Sequence, residues 1–384
     1  MDSSPPDAVL RIIQVVNVRW FNATAWYGLF LSKLLREAGH EVLVLGLGGT
    51  ESFAKAQEWG LSPVALPLNV ANPFGLVSLG SRLRRVMRDF SPHIVNCHRG
   101  ESFFLWAVLK SLEGSRFGLV RTRGDQRLPK AGALNTFLHA RAADAVIATS
   151  ATIAEAIRTR LHVPEEQLHT IFGGVDTRVF FHNKVGREAV RAAMGLRPEE
   201  YAIGLVGRFD AVKGQKELIR AFAALKQIPE AASRRPRLVL AGFSTSSTSE
   251  EAVRAWAYEA GVADDVLFPG RCPDPCALMN ALDLGVVASL GSETIARVAL
   301  EIMACEVPLV GTTVGVMPDL LTPEALVAPG DIEGLAELLH SFLTEPERGD
   351  RLRVIQAERM RLLSERAFLA QTLAVYRHVR EKHG

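Results

Sequence analysis

"LGVVASLGSETIARVALEIMACEVPLVGT", Leu284–Thr312, reads as strand, loop, helix and strand in one run. "LGVVAS" is a short apolar stretch without alternating polar residues, the pattern of a strand covered on both faces. "LGSET" interrupts it as a loop. "IARVALEIMAC" brings apolar side chains back at helical spacing, and "PLVGT" opens another buried strand. The run also holds two glutamates eight positions apart, Glu293 and Glu301, and a third acid, Glu306. An unpartnered buried carboxylate is costly, so each needs water, a partner or a ligand. Glu306 follows the helix and reads as solvated.

The same alternation extends in both directions. Upstream lie the strands "RIIQVVNV" (11–18), "EVLVLGL", "SPHIVNCH", "FGLVRTRG" and "DAVIATS", with a helix closed by Gly39 between the first two and another from about Glu101. After a pause of weak pattern and paired glycines near 172–190, "YAIGLVGR", "PRLVLAGF" and "DVLFPG" resume it. Two series of βα units predict two doubly wound, Rossmann-like α/β domains with a ligand cleft at the carboxyl ends of the strands. The boundaries expected are residues 1–180 and 181–363, with a final helix over 364–384 returning to the first domain. A length of 384 residues suits two domains.

With 48% hydrophobic and 22% charged residues the chain reads as soluble and globular. A net charge of +2 argues against a dedicated nucleic-acid binder. The charge is uneven: residues 1–180 carry 20 Lys+Arg against 15 Asp+Glu, the remainder 24 against 27. Arg82, Arg84, Arg85 and Arg88 share one predicted helix, which reads as an ordinary solvated helix or as a basic face toward an anionic membrane. The four cysteines form no disulfide framework, and Cys272 and Cys276 read as reduced thiols, not zinc ligands. The amino terminus shows no signal-peptide pattern, and no apolar run reaches the ~18–20 residues of a membrane span. A cytoplasmic protein, peripheral at most to the inner membrane face, is expected.

Chemistry is sought in the loops that enter helices. In "GLVGRFDAVKGQKELIRAF" (204–222) a strand ends at Gly207, and Arg208 and Lys213 precede a helix amino end. Two cations beside such an end make an anion site. Glu293 lies in the next such loop and Glu301 further along its helix. Eight residues at ~100° each put the two positions ~80° apart around an ideal helix, so both can meet one ligand. Carboxylates accept paired hydroxyls well, as a sugar or ribose requires.

These stretches together resemble glycosyltransferase family 4, of the GT-B fold. The resemblance rests on Gly-Arg-x4-Lys-Gly at Gly207–Gly214, Gly-Val-Asp-x3-Phe at Gly174–Phe180 and "FPG" at Phe268–Gly270. It rests also on Ser289–Glu293 and the Glu-x7-Glu pair. It implies retaining transfer of a sugar from a nucleotide-diphosphate-sugar donor to an acceptor hydroxyl of a glycan or glycolipid, with lipopolysaccharide or other cell-surface polysaccharide as one setting. By match, Glu293 meets the transferred sugar, Glu301 meets the donor ribose, and Arg208 and Lys213 stabilise the diphosphate. Amides at Thr294, Ile295 and Ala296 add to that stabilisation, and Gly207 and Arg271 join the donor-binding set. No cofactor or metal is expected.

The first half departs from the family pattern. "WFNATAWYG" stands where relatives carry a Gly-Gly turn, with Asn22 and Thr24 in the loop and Thr24 a candidate helix cap. "RTRGDQR" places Gly124 near an expected histidine, flanked by Arg123 and Asp125. Arg123, Asp125, His98, Asn22 and Thr24 are therefore the acceptor-side candidates. Two other classes remain open: a nucleotide-sugar epimerase or hydrolase of this fold, and a non-catalytic nucleotide-sugar-binding subunit.

Overall fold

The computed structural model describes residues 8–112, 114, 116–125 and 127–383. The chain divides into two units, Met1–Gly173 with Glu365–Gly384, and Gly174–Ser364.

The first unit contains seven parallel strands among its described residues: β1 (Arg11–Val16), β2 (Glu41–Gly46), β3 (Val64–Ala65), β4 (Ile94–Cys97), β5 (Gly118–Arg123), β6 (Ala145–Ala148) and β7 (Leu168–Thr170). Their order is β3-β2-β1-β4-β5-β6-β7, a doubly wound sheet whose direction of growth reverses beside β1. The central β4 and β6 are buried throughout; β6 is an unbroken apolar run, and β4 is apolar except for Asn96, whose amide is hydrogen-bonded within the unit. Edge strand β3 has two residues and β7 three, which limits unpaired backbone at the edges.

The helix Glu365–Glu381 closes this unit. Tyr376 is fully buried, and its hydroxyl oxygen accepts hydrogen bonds from Gln14 (3.0 Å) and Asn96 (2.7 Å) on β1 and β4. Phe368 sets its ring against Tyr27 at 4.7 Å on the helix Ala23–Glu37.

The second unit contains β8 (Tyr201–Val206), β9 (Pro236–Ala241), β10 (Val266–Leu267), β11 (Leu284–Val287), β12 (Leu309–Thr312) and β13 (Leu326–Val327). Their order, β10-β9-β8-β11-β12-β13, is the same winding with one strand fewer. Again the middle strands are buried and the edge strands have two residues each.

Residues 174–180, which the sequence reading grouped with the first domain, belong to the second unit. Val175 donates its N–H to the Leu363 carbonyl at 2.9 Å and bridges Ser364, so the outgoing and returning chains lie side by side there. Cys276 meets Cys305 at 3.9 Å between sulfurs, and all four cysteines are free thiols. Among the described residues no helix is long and apolar enough to cross a membrane.

Candidate functional site

In the second unit the loop after β8 is shaped by Asp210. Its carboxylate accepts the Val212 N–H (3.2 Å), which fixes the short turn Ala211–Lys213, and also takes the Arg208 Nε (3.2 Å). Gln215, buried at the start of the next helix, donates to the Arg208 carbonyl at 2.9 Å. Gly214 has φ 72°, and a Cβ there would stand 2.0 Å from the Ala288 carbonyl oxygen just beyond β11. Only glycine permits both the conformation and the approach.

That approach carries Lys213 to Glu293. The Lys213 Nζ lies 2.5 Å from Glu293 Oε1, and the Ser289 hydroxyl donates to the same oxygen at 2.5 Å. Glu293 is only 6% exposed, so the ammonium and hydroxyl compensate a carboxylate that burial would otherwise penalise. Its main chain is fixed as well. The Glu293 carbonyl accepts the Val316 N–H at 2.7 Å, and a Cβ on Gly315 would stand 1.9 Å from that oxygen.

Glu301 is 7% exposed and accepts the Arg297 Nη2 at 3.0 Å. Its helix begins only at Arg297, so Glu293 lies in the loop and Glu301 little more than one turn into the helix. Helical angles therefore do not set the relation between the two acids. The loop does, through Ser292 (φ 68°) and Ala296 (φ 50°), two left-handed residues without glycine. Such backbone costs about 1–3 kcal/mol per residue and gathers at ligand sites. No side chain caps the helix at Ala296, which leaves its positive end suited to an anion. Thr294 is half-buried; Ile295 and Ala296 are buried.

At the carboxyl ends of β9 and β10, Gly242 donates its N–H to the Gly270 carbonyl (3.1 Å). The Arg271 guanidinium lies 5.2 Å from the ring centre of exposed Phe243.

The acceptor-side candidates of the first unit separate into two groups. Asp125 lies 3.5 Å from Arg121 and 3.9 Å from Arg99, and Arg99 pairs with Glu101 at 2.5 Å. Glu101 also accepts from Asn17 (3.3 Å), which donates to Asn69 (2.7 Å). This polar chain sits at the carboxyl ends of β1, β4 and β5. Arg123 joins the same end and donates to the Arg127 carbonyl (2.7 Å), and burial lowers its pKa.

His98 is not part of that surface. It is 1% exposed and bonds Gln14 at 2.7 Å, and burial with Arg121 nearby lowers its pKa to about 3. Asn22, not Thr24, caps the helix Ala23–Glu37: the helix begins one residue after Asn22, whose side chain accepts the Ala25 N–H at 3.1 Å. Thr24 lies inside the first turn, its hydroxyl 3.4 Å from the Gly124 carbonyl.

Sequence reasoning assigned no role to Asp210, Ser289, Arg297 or Phe243. Arg297 carried a signal, since a cation four residues before Glu301 faces it on a helix. Ser289 meets Glu293 within one loop, while Phe243 becomes a partner of Arg271 only through strand packing.

Residues 27–179 match the model described as Glycosyltransferase Family 4, and residues 186–360 match Glycosyl transferases group 1. The chain belongs to glycosyltransferase family 4. Among curated relatives of this family-4 chain is a D-inositol 3-phosphate glycosyltransferase of Mycobacterium marinum, 33% identical over 40% of this chain and 31% of the relative. Its counterpart in Mycobacterium avium is 30% identical over 53% of this chain and 47% of the relative. The chain thus spans less than half the length of these relatives. Among solved structures, HepE of Anabaena in complex with UDP is 18% identical, with a TM-score of 0.82 over 96% of this chain and 100% of that one. A glycosyltransferase of Rickettsia africae is 17% identical, with a TM-score of 0.81 over 97% and 98%. The family-4 chain has the GT-B fold.

Proposed function

We propose that this chain is a retaining glycosyltransferase that moves a sugar from a nucleotide-diphosphate sugar to an acceptor hydroxyl of a glycan or glycolipid. The observation that carries the reading is the half-buried Lys213 on the buried Glu293–Ser289 pair, beside an uncapped helix amino end. Family membership and the likeness to HepE, whose structures hold UDP, support it.

In this reading the second unit binds the donor. Diphosphate charge grows as the sugar–phosphate bond breaks, and Arg208, Lys213 and the amides of Thr294–Ala296 stand where it would be stabilised. Lys213 leaves or shares its contact with Glu293 when the donor arrives, which frees a carboxylate oxygen for the sugar hydroxyls. Glu301 accepts the ribose hydroxyls, and Phe243 with Arg271 offers a flat face to the base. The departing phosphate oxygen accepts the acceptor's proton, so no strong side-chain base is needed. The polar chain from Asn17 to Asp125 serves the acceptor.

Lipopolysaccharide or another cell-surface polysaccharide is the acceptor setting we favour. Exposed Phe74 and Val77 on the arginine-bearing helix Pro73–Phe90 support peripheral membrane contact.

The test is calorimetric titration of the chain with UDP, GDP, ADP and CMP in the presence of chelator, for wild type and Glu301→Ala. One nucleoside diphosphate should bind and weaken at least tenfold in the variant. No binding by any of them overturns the reading. The anomeric configuration of the first product, read by NMR, decides retention.

A further inference from the structure

The amino ends of β1, β4 and β5 carry a different site. There the first unit holds a cavity of about 300 Å³ whose lining includes Arg11, Arg88, Arg116 and His93 over a floor of Met87 and Phe117. This volume is at the lower end of the ~300–1,000 Å³ of small-molecule pockets. Among the described residues no aspartate or glutamate lines it. Three guanidinium groups around one cavity give it a positive potential that favours an anion.

A structural role for the arginines accounts for only part of this. The cavity lies at the carboxyl end of the helix Pro73–Phe90, where cations are favoured. Arg11 does serve that end: its Nε donates to the Ser91 carbonyl at 2.7 Å. The helix end contributes only about −0.5 of a charge, however, against three full positive charges. Among the described residues Arg88 and Arg116 have no carboxylate partner.

His93 adds a hydrogen-bond donor to the lining. Its Nδ1 accepts the Arg11 N–H at 3.1 Å, which leaves the proton on Nε2 as a donor. Its pKa is lowered first by burial and then by Arg380 and Arg11, with Glu41 opposing.

We propose that this cavity binds a phosphomonoester, with the dianion gripped by Arg11, Arg88 and Arg116 and hydrogen-bonded by His93. Forked guanidinium groups match phosphate oxygens, and the apolar floor takes the carbon side of the ester. The phosphate belongs either to a soluble metabolite or to a lipid headgroup. The proposal does not depend on sugar transfer.

The experiment uses the full chain and three proteins: wild type, Arg116→Gln and Arg88→Gln/Arg116→Gln. Each is titrated with glycerol 3-phosphate and with glycerol. Each is then floated with phosphatidylcholine vesicles doped with phosphatidate, or with phosphatidylserine at matched surface charge. A soluble source is assigned when glycerol 3-phosphate, but not glycerol, binds wild type and weakens at least tenfold in the double variant. A lipid source is assigned when phosphatidate vesicles retain wild type better than phosphatidylserine vesicles and the double variant loses that preference. The proposal is overturned if neither dependence appears. Both substituted side chains are exposed, so an unchanged melting temperature confirms that the variants are folded.

Discussion

Lys213 and Glu293 neutralise one another, so a change in either acts on stability and chemistry together. Lys213→Ala leaves a carboxylate that is 6% exposed with Ser289 as its remaining partner in this group. Stability should fall by about 1–3 kcal/mol, read by urea denaturation. Initial rates of sugar transfer should fall roughly 10²–10³-fold, the scale seen when one donor to a developing oxyanion is lost. Glu293→Gln keeps an acceptor for Ser289 and removes the charge. It should change stability by less than about 1 kcal/mol while lowering transfer at least tenfold; full activity would remove Glu293 from the mechanism. Gly214→Ala is the sharper probe. The added Cβ meets the Ala288 carbonyl at 2.0 Å in a left-handed backbone, so the loop must shift and carry Lys213 off Glu293. A lower melting temperature and a loss of nucleoside diphosphate affinity should appear together in that variant.

Among elements, the helix Glu365–Glu381 shows how sequence-distant segments complete a core. Gln14 and Asn96 both donate to the Tyr376 hydroxyl oxygen, and His98 reaches the same network through Gln14. Tyr376→Phe removes the shared acceptor and leaves two buried amides to find another. The cost should be about 2 kcal/mol or more. The loss should appear in the unfolding of the first unit, while the unfolding of the second unit stays at its wild-type value. Equal loss in both would show that the helix supports more than its own unit. The helix Arg297–Ala304 shows the complementary case. Its apolar pattern was plain in sequence, yet its start was not, because Ala296 turns the chain through a left-handed conformation that residue type does not announce.

At the scale of the whole molecule, acid should destabilise the first unit before carboxylates titrate. His98 and His139 are both buried, and burial lowers their pKa values to about 3 and about 4, with Arg121 adding to each shift. Below about pH 6.5 the unfolded chain binds protons that the folded unit excludes, so stability present above that pH is lost as pH falls. The two histidines together should remove about 3–4 kcal/mol between pH 7 and pH 5, read from denaturant midpoints. His98→Gln should flatten roughly half of that dependence.

The sequence by itself determined the two series of βα units and the buried central strands, and it singled out the donor-side candidates. Each rests on local signals: apolar runs, helical spacing and motifs at strand ends. Arg208, Lys213, Glu293 and Glu301 were legible because strand–loop–helix order dictates where such loops emerge. Only the tertiary structure decided the rest. It showed that Lys213 rests on Glu293, that His98 is sealed in the core, that Asn22 rather than Thr24 caps its helix, and that residues 174–180 join the second unit. It also gathered Arg11, Arg88 and Arg116 around one cavity. Those outcomes depend on close approach between segments far apart in the chain, and on desolvation and backbone dihedrals, none of which is written in the spacing of residue types.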